Sequence, residues 1–288
     1  MVIVMRSAAA DLSDLLHERQ PLSKAESSLL SRMAESGKNI FTLKHVTELG
    51  VSYEKAKLMV NRLTAKGWLI AISRGTYLIV PLEAGVEGKY SEHEFVIASH
   101  LVEPYYIGYW SALQYHGLTE QVPVTVFVVT TRRVKNRSRV ILDSRIRIVT
   151  VVERKFIGFD GVLISNSRVN ISDKAKTIAD CLDHPEYCGG IVEAAKALWA
   201  ARESVGVGNI AEYGRRMGNS TILKRLGYLA ELMDLETPEV VINRLLRDIG
   251  KGYSLLDPLG KREGRHSTRW NLILNVPEES ILEWRRGY

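Results

Sequence analysis

Cysteine is nearly absent. Cys181 and Cys188 are the only two in 288 residues, too few for a disulfide framework and suited to a reducing compartment. No run of about 18 apolar residues occurs, which excludes a helical membrane span, and Met1 to Met5 is too short for the hydrophobic region of a signal peptide. The expected location is the cytoplasm. No phosphate-cradling glycine loop is found, nor a Ser-His-Asp or Cys-His pattern in recognisable context. Cys181, His184 and Cys188 approach a metal spacing, but three candidate ligands without a fourth fall short of a structural zinc site. Inert, buried thiols are the expectation, with no metal, no cofactor and no catalytic residue.

What remains is an ordinary globular composition, 45% apolar, with a net charge of +6 and a pI of about 9.2. The length suits two or three domains, and the basic balance suits nucleic acid or another anionic surface. The charge is concentrated. Residues 24–81 hold nine Lys and Arg against four Glu.

That same stretch reads as a winged helix-turn-helix over 22–82. Leu22, Ala25, Leu29, Leu30 and Met33 recur at helical spacing, with Ser23 as cap and Gly37 as stop. Thr42 caps a short helix through Glu48, Gly50 supplies the turn, and Ser52 caps a third helix to about Lys66. In that helix Ala56, Met59, Val60 and Leu63 face inward, leaving Glu54, Lys57, Leu58 and Asn61 outward, flanked by Tyr53, Lys55 and Arg62. Tyr53, Lys57 and Asn61 are expected to set sequence preference. Arg62 and Lys66 lie where phosphate contacts are favoured, and Leu58 is suited at most to a thymine methyl. Trp68 to Ile72 and Tyr77 to Val80 flank a hairpin turn, with Arg74 at the wing tip for a minor groove, a phosphate or plain solvation.

Residues 1–21 read as a short helical extension carrying Leu12, Leu15 and Leu16. Pro81 to Lys89 reads as a linker, and 89–288 as a larger mixed α/β domain with a helical C-terminal part. The fold class is thus α+β. A helix over Ser91 to Leu101 leads to an aromatic segment in which His116 is expected to be hydrogen-bonded in the core. A mixed sheet is expected over 122–165, from Val124 to Thr131, Arg145 to Val152 and Val162 to Ile164, with a turn at Phe159-Asp160-Gly161. Helices should fill 173–250, and a strand near 270–275 should rejoin the sheet.

Arg132, Arg133, Lys135, Arg137, Arg139, Arg145 and Arg147 form the densest basic cluster, opposed by Asp143 alone. Alternation puts Arg145 and Arg147 on one sheet face with Ile146 and Ile148 inward. That face could follow a phosphate backbone, or be a solvated hairpin whose charges block edge pairing. A nuclease built on Asp160, Asp173, Lys174 and Lys176 is the catalytic alternative. It lacks a close acidic strand motif to hold a cation, and Asp173 suits a helix cap better.

The chain resembles AbiEi-type antitoxins, the DNA-binding members of type IV toxin–antitoxin systems. The resemblance rests on the winged helix with Arg74-Gly75-Thr76-Tyr77, on Tyr106 to Leu113 leading to His116 to Gln121, on Asp173 to Thr177 with Asp180 to Pro185, on Cys188-Gly189-Gly190, and on Arg225 to Tyr228. Their order and spacing carry it, over most of the chain. It implies a repressor that binds inverted repeats of double-stranded DNA in its own promoter, cooperatively, as a monomer or weak dimer. It also implies opposition to an AbiEii-like nucleotidyltransferase toxin without a stable complex, and a part for the basic second domain. The candidate DNA-contacting set is Ser52, Tyr53, Lys55, Lys57, Asn61, Arg62 and Arg74, with the seven basic residues from Arg132 to Arg147. A stand-alone regulator without a toxin, or a module that binds protein or RNA, are the alternatives.

Overall fold

The computed structural model describes residues 18–287 apart from 86, 88, 89, 91 and 143. The expected N-terminal helix lies outside the described residues, save for its last few positions. The chain divides between His93 and Glu94 into two compact units.

In the first unit, α1 (Lys24–Glu35) starts at a capping box: the Glu26 amide donates to the Ser23 hydroxyl, and the Ser23 amide donates to the Glu26 carboxylate. Two orphan donors of the first turn are satisfied by this exchange. β1 (Ile40–Thr42) and α2 (Leu43–Glu48) follow. Gly50, at φ +84°, makes the left-handed turn that leads into α3 (Tyr53–Ala65). β2 (Leu69–Ser73) and β3 (Thr76–Ile79) form the wing. The strand order is β1-β3-β2, antiparallel throughout, with Phe41 opposite Tyr77 and Ile70 opposite Leu78. The ribbon expected as two-stranded therefore has a third strand, too short at three residues to show alternation in sequence. Leu29, Met33, Phe41, Val46, Ala56, Val60, Leu63 and Leu69 share one core. Full burial of each Leu, Phe or Val side chain is worth about 1.5–3 kcal/mol.

The second unit is built on a six-stranded sheet of order β6-β7-β5-β4-β9-β8. Its first helix is α4 (Glu94–Ser99), shorter than the expected Ser91 to Leu101. Then come β4 (Tyr106–Ile107), α5 (Tyr109–Tyr115), β5 (Thr125–Thr130), β6 (Ser138–Ile141), β7 (Ser144–Thr150), β8 (Phe159–Ile164) and β9 (Ser167–Ser172). The sheet thus extends beyond 122–165 on both sides. Phe159-Asp160-Gly161 is no turn: it is the first half of β8, paired with β9 from Phe159↔Ser172 to Ile164↔Ser167. The reversal falls instead at Ser165 and Asn166, both at positive φ.

Helices α6 (Lys174–Asp183), α7 (Ile191–Ala200), α8 (Val207–Met217), α9 (Ser220–Leu232) and α10 (Glu239–Asp248) pack around a large apolar core. The strand expected near 270–275 exists as β12 (Leu272–Leu274), but it does not rejoin the main sheet. It pairs with β10 (Ser254–Leu255) in parallel and with β11 (Arg265–Ser267) in antiparallel, as a separate three-stranded sheet. A short helix, α11 (Glu278–Leu282), follows. Among the described residues, no helix is long and apolar enough to cross a membrane.

Candidate nucleic-acid interface

The outward face of α3 is chemically distinct from its inward one. Ala56, Val60 and Leu63 are fully buried. Tyr53, Lys55, Lys57, Leu58, Asn61 and Arg62 are all exposed. Ser52 occupies the N-cap with extended backbone, and its side chain makes no cap hydrogen bond, so the hydroxyl is left at the helix N-terminus for other partners. The wing closes one side. Its tip is tied to α2, because the Leu43 amide donates to the Gly75 carbonyl at 3.1 Å.

Helix and wing together enclose an open depression of about 470 Å³, lined by Tyr53, Lys57 and Asn61 from α3 and by Arg74 from the wing. The three helical residues are spaced i, i+4, i+8 and so form one ridge. Lys44 and Tyr77 line the same depression, and sequence reasoning missed both. Lys44 stands beside Arg74 only because β1 pairs with β3, a contact that helical periodicity cannot report. Lys55 and Arg62 are not among the lining residues; helical geometry sets them on the flank of α3 away from the wing.

Lys66, expected near phosphate, is engaged elsewhere. Its ammonium donates to the Glu26 carboxylate at 2.7 Å. Glu26 is buried, and its carboxyl is pulled from 4.5 down to about 2, first by the Lys66 hydrogen bond and then by the Ser23 amide. The pair fastens the start of α1 to the end of α3.

In the second unit, Arg132, Arg133, Lys135 and Arg137 are exposed on the segment between β5 and β6. Arg145 and Arg147 share an exposed face of β7, with Ile146 and Ile148 buried on the other. Arg147 lies 4.7 Å over the Tyr187 ring. Arg139 is separated from those two: it stands opposite Ile146 in the β6–β7 ladder, and directly opposed residues share a face. It is half-buried on the inner side. Among the described residues, none of the seven forms an ion pair with a carboxylate.

Two residues of the nuclease alternative, Asp173 and Lys176, have structural uses. Asp173 caps α6 by accepting from the Lys176 amide, and it also accepts from the Tyr213 hydroxyl. Lys176 is fully buried, hydrogen-bonded to Asp180 and to the Tyr106 hydroxyl. Burial raises the Asp180 carboxyl against the pull of that lysine. His116 donates from Nε2 to the Ser172 carbonyl, 2.7 Å away, and burial lowers its pKa. Cys181 and Cys188 are buried free thiols, and burial pushes Cys181 well up.

Three helices and an antiparallel sheet in this order, with a polar, cation-rich outer helix beside a wing, are the winged helix-turn-helix class. Residues 28–80 match the family described as "Transcriptional regulator, AbiEi antitoxin". The crystal structure of the RV2827C protein from Mycobacterium tuberculosis shares the fold with a TM-score of 0.65 at 13% sequence identity, over 94% of this chain and 98% of that one. No curated protein matches the sequence.

Proposed function

We propose that the protein is a sequence-specific DNA-binding repressor of its own promoter and the antitoxin of a type IV toxin–antitoxin system. The observation that carries this reading is the single depression in which Tyr53, Lys57 and Asn61 of α3 meet Arg74 of the wing. Amide and hydroxyl groups on such a ridge bond to base edges, while Arg74 and Lys44 supply charge for phosphate or a narrow groove. The family match over 28–80 supports regulation of transcription as the role. The exposed cations Arg132, Arg133, Lys135, Arg137, Arg145 and Arg147, which pair with no carboxylate among the described residues, supply sequence-independent affinity beyond the winged helix.

The partner beyond DNA is a nucleotidyltransferase-like toxin encoded beside it, opposed without a stable complex. A gel shift on DNA upstream of the gene, against scrambled competitor and across a salt series, tests the first half. The expected result is a shift that specific DNA competes away and scrambled DNA does not. Equal loss to both competitors would remove the repressor reading. Co-expression with the neighbouring gene tests the second half: growth should be restored without co-purification of the two proteins.

A further inference from the structure

Successive residues of an α-helix are turned by about 100°. With Ala56, Val60 and Leu63 buried at the base of α3, that turn places Glu54, Leu58 and Ala65 at the apex, directly opposite, with Asn61 beside them on the side toward the wing. Tyr53 and Lys57 fall on the edge toward the wing, and Lys55 and Arg62 on the other edge. The apex therefore carries a carboxylate and an isobutyl group, with an amide beside them and cations on either side. Two cationic edges match the two phosphate backbones that border a major groove. A carboxylate would be repelled there, so Glu54 belongs over base edges, where it can accept from a cytosine amino group.

Leu58 stands at the middle of this apex and is 56% exposed. Within the major groove, the C5 methyl of thymine is the apolar feature that a side chain of this kind can cover. We infer that Leu58 reads the C5 methyl group of one thymine in each half-site, making recognition depend on the methyl itself and not on hydrogen bonding alone. This rests on the DNA-binding reading above. Glu54 and Leu58 are four residues apart, about 6 Å along the helix axis, so the two reach neighbouring base pairs, a cytosine beside a thymine. Asn61, one turn further, pairs with the amino group and N7 of an adenine.

The test uses the full chain. Duplexes enriched by binding from a random pool define the recognised sequence, and each thymine in it is replaced in turn by deoxyuridine, which removes the methyl and leaves every hydrogen-bonding group. At one position per half-site, affinity should fall about three- to tenfold, the range expected for one buried methyl group. Leu58→Ala should bind thymine and uracil duplexes alike at that position, while Lys57→Ala should bind both more weakly and keep their ratio. Uracil tolerated at every position, or a penalty that survives Leu58→Ala, would overturn the inference while leaving DNA recognition intact. A pool with no enriched sequence would instead remove DNA recognition, and the inference with it. Because Leu58 is exposed, Leu58→Ala should keep the wild-type thermal unfolding midpoint.

Discussion

Asn61 presents a donor and an acceptor together, the pattern that an adenine edge matches and other bases do not. Asn61→Ala should therefore lose about 1–3 kcal/mol of discrimination at one base pair, measured by competition between the enriched duplex and single-site variants. If preference at every position survives, Asn61 is not a reading residue. Glu26 makes a different demand. Its folded pKa lies near 2, below the ordinary 4.5, so the stabilisation is fully present above about pH 5 and is lost as pH falls through the window from 4.5 to 2. Glu26→Gln should cost about 1–2 kcal/mol at neutral pH by leaving the half-buried Lys66 ammonium without its charged partner. It should also flatten the fall in urea midpoint between pH 5 and pH 2. A wild-type slope retained in Glu26→Gln would assign that acid sensitivity to other carboxylates. The outward face of α3 could be read from periodicity alone, because three and four residues separate its buried positions. The engagement of Lys66 could not, since its partner lies 40 residues away in the chain and is brought close only by the packing of α1 on α3.

At the scale of elements, pairing decides what alternation leaves open. The faces of β7 were legible because Arg-Ile-Arg-Ile has a period of two. Arg139 was not, because which face it takes depends on the β6 register, and a shift of one residue would turn it to the other side. The isolation of β12 in a second sheet was hidden for the same reason: its partners β10 and β11 are two and three residues long and carry no strand pattern of their own. Close packing is equally invisible to composition. Gly227 lies in the middle of α9, where a Cβ would come within 2.0–2.6 Å of the Trp270 ring. That ring is buried, and its indole N–H donates to Glu231 at 2.7 Å. Gly227→Ala gains helix propensity on an exposed helix, yet here it must displace a locked indole. We expect a net loss of about 1–3 kcal/mol, read as a lower urea midpoint together with a changed tryptophan emission. An unchanged midpoint would mean that α9 can move away from Trp270 at no cost.

Across the whole molecule, charge is unevenly divided. Residues 24–81 carry a net +5 and residues 132–147 a net +6, so the rest of the chain is net acidic although the total is +6. Each phosphate that a cation neutralises releases counterions, so the logarithm of affinity falls with the logarithm of salt with a slope of about 0.9 per contact. If Arg132, Arg133, Lys135 and Arg137 each meet a phosphate, replacing all four by Ala should lower that slope by roughly 3–4. Binding should weaken equally on specific and scrambled duplexes, because phosphates carry no sequence information. The solvated-hairpin reading of the same cluster makes the opposite demand. There the charges serve to keep the exposed edge of β6 from pairing with another molecule, and Val140 on that strand is 72% exposed. The four-alanine variant would then keep the wild-type salt slope and self-associate at high concentration, visible by sedimentation. One preparation measured both ways separates the two roles, since a change in slope without self-association places these cations on DNA, and self-association without a change in slope makes them guards of a strand edge.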